Sequence, residues 1–273
     1  MSNQHRYDIL ASWIRLIPPH FPLIGPAEHF LSLRMHAMDT ESQSMVRQMS
    51  KGFKVLPNDG HELDSIIRIA KHASIISADL DQYLRMRDRK RGAPDIVLIR
   101  FTRFCVVCDL LNLPDWEVDR KADTRSVMFE LCRLIVMAYS SIVLLPAQPS
   151  SGLYERIANR LQHALTLAVD AGSSNGVCHM HPDLFLAATI WGGICAQRMP
   201  SSSQSEQLLQ YFSNSLGSAA VKIAPHAWSI VAGIMKTYLW LDVDCDEPGQ
   251  QFWTYACRDQ KSAWMPVTPD SDV

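Results

Sequence analysis

The sequence predicts an all-α protein, an irregular multi-helix bundle of about eight or nine helices. Three observations carry that expectation. Apolar residues recur at steps of three and four, as in Leu63, Ile66, Ile67, Ala70, Ala73, Ile76 and Leu80, which is one face of a helix. No run alternates at period two over strand length between turn signals, and only residues 95–99 could pass for a strand. Proline and glycine fall between the periodic runs, where they punctuate helices.

Taken in order, residues 1–26 are rich in proline and read as a loose arm with one short helix at 8–17. A helix is expected over 27–49, then a break at 52–60 marked by Pro57, Asn58 and Gly60. The stripe quoted above places a long helix at 62–89. Pro94 opens the next, 95–113, which stops at Pro114. After a polar link at 115–123, a helix over 124–145 closes at Pro146. Helix 153–171 ends at Gly172, and Pro182 opens a helix bearing Leu184, Ala187, Ala188, Trp191, Ile194 and Cys195 on one face. Gly192 and Gly193 each cost that helix about 1 kcal/mol relative to alanine, so a close neighbour is expected there. A serine-rich turn leads into helix 206–221.

The stretch 225–257 organises the rest, with three of the seven tryptophans: Trp228, Trp240 and Trp253. Trp228, Val231, Ile234, Met235, Tyr238 and Leu239 predict one amphipathic helix. Pro248 and Gly249 are read as ending that run and starting a second helix. The chain thus divides into an N-terminal arm at 1–60, a helical domain at 61–258 and a tail at 259–273.

Composition narrows the function. A chain of 273 residues buries roughly 70–75% of its unfolded surface without metals or disulfides. Lys plus Arg is 26 against 28 for Asp plus Glu, a formal charge of −2, so no global positive field attracts nucleic acid. The N-terminus has no unbroken apolar core of the kind a signal peptide needs, and the apolar stretch 134–147 is shorter than a membrane span. Seven cysteines, an odd number, fit a reducing compartment. A soluble intracellular protein is expected, with no membrane partner.

Several motifs invite chemistry. Cys105 and Cys108 have the spacing of half a zinc site, but Cys132 is the nearest other cysteine and stands alone, so two small buried side chains are expected. Cys178, His179 and His181 pack candidate ligands into a loop without fixed further ligands. Asp242, Asp244 and Asp246 open like a calcium loop, but Glu247 stands where glycine is needed and Trp253 where the bidentate glutamate is needed. These acids are expected to complement a helix N-terminus. The basic run 85–92 is interrupted by Asp88 and reads as a solvated helix end. No phosphate loop, nucleophile elbow or HExxH appears. No catalytic, cofactor, metal or DNA-binding residue is assigned, and no enzyme is expected.

Four blocks over residues 95–258 together resemble the C-terminal regulatory domain of fungal zinc-cluster transcription factors, the fungal-specific transcription factor domain. The first is IRFTR at 99–103 with DLLNLP at 109–114. The second is FELCRL at 129–134 with Tyr139, Ser140 and Pro146. The third is the helix around Trp191, Gly192, Gly193 and Ile194. The fourth is Trp228, Tyr238-Leu239-Trp240, Cys245-Asp246, Gly249 and Phe252-Trp253. The resemblance implies a nuclear transcription-regulatory module, with a regulator of secondary metabolism among its possible roles. The family's DNA-binding unit is a six-cysteine zinc cluster, and residues 1–94 hold no cysteine. Direct nucleic-acid binding is therefore not expected of this chain. Protein partners are, including a mixed dimer with a full-length family member, and a small-molecule effector is a second input. The competing expectations are a cytoplasmic all-α small-molecule-binding protein or enzyme, and a truncated family member without function.

Overall fold

The computed structural model describes residues 27–54, 61–86, 96–113, 123–170, 177–223 and 228–263. Among those residues it has twelve α-helices and no strand, so the protein is all-α. In chain order they are α1 (Ala27–Ala37), α2 (Thr40–Met49), α3 (Lys51–Lys54), α4 (His61–Met86), α5 (Ile96–Leu111) and α6 (Thr124–Tyr139). Then come α7 (Leu153–Asp170), α8 (Val177–Met180), α9 (Pro182–Gln197), α10 (Ser203–Ile223), α11 (Trp228–Met235) and α12 (Asp242–Ala263). The expected helix at 8–17, and most of the basic run, lie outside the described residues.

The count exceeds eight or nine for local reasons. The helix expected over 27–49 is two helices, because Asp39 turns the backbone out to φ −66°, ψ 166°. Its carboxylate accepts the Ser42 N–H at 2.7 Å and so caps α2. Asp123 caps α6 in the same way through the Ser126 N–H, also at 2.7 Å. The short helices α3 and α8 occupy stretches read as breaks. Residues 96–99, the one strand-like stretch, begin α5.

Helix α6 does not run on as an α-helix to 145. It widens into a π turn over Ser140–Leu144, where the Leu145 N–H donates to the Ser140 carbonyl at 2.8 Å. The Tyr154 hydroxyl, from α7, stands 3.0 Å from the carbonyls of both Ser141 and Ala147. The segment Thr124–Leu144 is long and apolar enough to cross a membrane, yet its apolar window is 100% buried inside the protein. It is a core helix.

The centre of the bundle is α9, buried on every side from Leu184 to Ala196 and flanked by α6, α7, α10 and α12. The two glycines mark where neighbours come closest: a Cβ on Gly192 would overlap the Phe212 ring, and one on Gly193 the Phe252 ring.

The boundaries expected around residues 236–249 are corrected. Helix α11 stops at Met235, short of Tyr238 and Leu239. Leu239 takes a left-handed backbone, φ 62°, and its N–H donates to the Met49 carbonyl at 3.0 Å. The Gly52 N–H donates to the Thr237 carbonyl at 2.9 Å. This double tie to α2 and α3 sets the turn. Helix α12 then starts at Asp242 and carries Pro248 inside it, so Pro248 and Gly249 start nothing.

Candidate functional site

The tryptophans of the last two helices and the buried face of α9 build one aromatic hub. Trp191 stands edge-on to Tyr139, ring centres 5.9 Å apart, and to Trp240 at 5.3 Å. Trp240 tilts onto Trp228 at 6.0 Å, and Trp228 onto Trp253 at 6.5 Å. The Trp240 indole N–H donates to Asp246 at 2.7 Å. Gly249 lets the rings close in, since a Cβ there would lie 2.7 Å from Trp228.

A polar cluster lies beside the hub at the π turn. The Ser77 hydroxyl donates to the Ala73 carbonyl at 2.7 Å, so in its bond with Tyr139 the phenol is the donor. Burial pushes the Tyr139 phenol well above its ordinary range. Arg103, on α5, lies within electrostatic reach of Tyr139 and Asp244, and burial pulls its guanidinium down from its ordinary value. Its Nε is buried without a hydrogen-bond partner, as are Trp191 Nε1 and Ser140 Oγ. Burial raises the Asp244 carboxyl, opposed by Arg103 and Arg198. Burial thus works against the charged form of each of these groups, while Arg103 and Asp244 oppose it in one another.

A second charged centre sits on α6. Glu130 is wholly buried and accepts from Arg133 Nε at 2.7 Å and Nη2 at 3.0 Å. Arg160 of α7 adds a third bond at 2.8 Å. The pairing of Glu130 with Arg133 is one helical turn and can be suspected from sequence. Arg160 joins only through the packing of α7 on α6, which no local signal announces.

Two grooves open nearby. One, of about 380 Å³, runs between α2, the end of α4 and the start of α12, with Met45 and Leu241 among its apolar residues. Its charges are mutually satisfied: Arg85 pairs with Glu41 at 2.7 Å and Asp81 at 2.9 Å, and Lys236 with Asp242 at 2.6 Å. The other, of about 290 Å³, lies between α6 and α7.

The motifs weighed for chemistry fall apart in space. Cys105 and Cys108 are half-buried on α5, and burial pushes each thiol up to about 11. Burial also raises Cys132, Cys195 and Cys245, away from the thiolate that nucleophiles and metal ligands need. Cys178 and His179 lie on α8, and burial lowers the His181 imidazole just before α9. Asp242, Asp244 and Asp246 occupy the first turns of α12 and go to separate partners: Lys236, the two arginines and Trp240. Among the described residues no three His, Cys, Asp or Glu side chains are grouped to hold a metal ion.

Fold and site together define an all-α protein centred on a buried aromatic hub, with two arginine-bearing polar centres beside it. No protein-family model, no curated protein and no solved structure matches the chain.

Proposed function

We propose that this chain is a transcription-regulatory module of the zinc-cluster type it resembles, working in the nucleus through protein contacts or a bound effector rather than by touching DNA. The observation that supports this reading is the convergence of the four blocks. Tyr139 of the second, Trp191 of the third and Trp240 of the fourth form one line of edge-to-face rings. Arg103 of the first reaches the same Tyr139, and Gly193 of the third receives Phe252 of the fourth.

The decisive experiment tethers the full chain to a heterologous DNA-binding domain upstream of a reporter. The reading expects the tethered chain to raise or lower reporter output several-fold, and the untethered chain to reach the nucleus and co-purify with a zinc-cluster protein. An unchanged reporter together with a purely cytoplasmic chain overturns it.

A further inference from the structure

Helix α1 rests chiefly on one neighbour, α4. Among the side chains described on it, Leu31 is buried, Met35 is half-buried and Leu33 is 55% exposed. Three residues after Leu31, on the same face, Arg34 crosses to α4 and holds Asp79 with both arms of its fork. Its Nε donates to Oδ2 at 3.1 Å and its Nη2 to Oδ1 at 2.5 Å. The Asp79 side chain is 8% exposed, and burial raises its carboxyl against the opposing pull of Arg34.

The chain that follows α1 is held independently of it. Met38, just past its end, is buried, and its carbonyl accepts from the Gln43 side chain at 3.1 Å. Asp39 is already extended and caps α2 through Ser42, so α2 keeps its N-terminus whether or not α1 is seated. A hinge at Ala37–Met38 therefore releases α1 without unravelling what comes after it. The attraction within a buried ion pair is largely offset by the water both groups give up, and both rehydrate when the helix leaves. Arg34 and Asp79 thus add little to the hold on α1. What they add is selection, because an apolar or acidic residue in place of Arg34 leaves a buried carboxylate unpaired.

We propose that α1 is a latch, seated in cis on the Asp79 face of α4, which swings out about Ala37–Met38 and frees that seat for a partner helix bearing leucine and arginine at the same i, i+3 spacing. The partner's chemistry is read from the resident: an apolar side chain takes the place of Leu31 and a guanidinium the place of Arg34. This is helix docking with an internal competitor, whose short tether gives it an effective concentration in the millimolar range. The inference stands on the α1–α4 contact and not on the transcription reading, so either can fail alone.

Two measurements on the full chain test it. Hydrogen exchange read by mass spectrometry is expected to show α1 amides exchanging about tenfold or more faster than those of α4 around Asp79. Arg34→Glu changes the latch and leaves the seat intact, so it should speed α1 further while α9 keeps its protection. A labelled peptide of residues 27–37 should bind the Arg34→Glu chain about tenfold or more tighter than the wild-type chain, whose seat is occupied. The same peptide carrying glutamate in place of Arg34 should bind neither. Arg34→Gln removes the charge without repulsion and gives the same order of binding if Arg34→Glu fails to fold. Exchange of α1 and α4 at one rate, or a uniform loss of protection through the bundle in both variants, overturns the proposal. So does equal binding of the peptide by wild-type and variant chains, or binding by neither.

Discussion

Gly193 has a larger structural consequence than its size suggests. Alanine at this position gains about 1 kcal/mol of helix propensity. It also drives a methyl into the Phe252 ring, which is wholly buried and has nowhere to retreat. Overpacking of this kind costs typically about 1–3 kcal/mol, so the clash outweighs the gain. Gly193→Ala is expected to lower the urea midpoint without changing the slope, and to be less harmful in a Phe252→Leu background, as a double-mutant cycle would read. A stabilised Gly193→Ala would mean that α12 does not approach α9 as described. The need for close approach was legible in the glycine pair itself. Which ring fills each gap was not, because Phe212 and Phe252 come from elements far along the chain. Glu130 illustrates the same boundary: Arg133 is visible one turn away, Arg160 only after α7 has folded back.

The helix boundary at Asp39 was missed, although there a side chain acts on its own backbone. The segment Asp39-Thr40-Glu41-Ser42 carries a cap signal inside a helical pattern, and the pattern alone had predicted one unbroken helix. At Pro248 the local signal pointed the wrong way, because the turn is set by hydrogen bonds from Leu239 and Gly52 to distant partners rather than by proline and glycine. The cap gives a pH-dependent prediction. Hydrogen bonding from Ser42 holds the Asp39 carboxyl below its ordinary value of 3.8. A carboxyl lowered by folding stabilises the protein above its unfolded pKa, and that contribution is lost as pH falls through the lower folded value. Asp39→Ala should therefore cost about 1 kcal/mol at neutral pH. The penalty should begin to shrink as pH falls below 3.8, where the unfolded chain takes up the proton, and shrink further as pH falls through the lower folded value of the cap. Urea unfolding of both proteins at pH 7 and pH 3 measures the difference. An equal penalty at both values would show that the cap does not act through its charge.

At the scale of the whole molecule, the all-α class followed from periodicity, but the site did not. The aromatic hub needs α6, α9, α11 and α12 brought together, and the smaller groove exists only once α6 and α7 lie side by side. The buried core runs as one cluster from Leu31 to Ala256. Its cooperativity can be read from three thiols placed in three of its helices: Cys132 on α6, Cys195 on α9 and Cys245 on α12, each wholly buried. A thiol reagent needs both access and thiolate, and burial denies both. If the core opens as one unit, these three cysteines label together, after the half-buried Cys178 and Cys257. Their common rate should then rise with urea with the full slope of global unfolding. Mass spectrometry of chains labelled in sub-denaturing urea resolves each site. Faster labelling of Cys245, with a shallower urea dependence than Cys132 and Cys195, would mean that α12 detaches on its own and that the hub around Trp240 closes as a separate step.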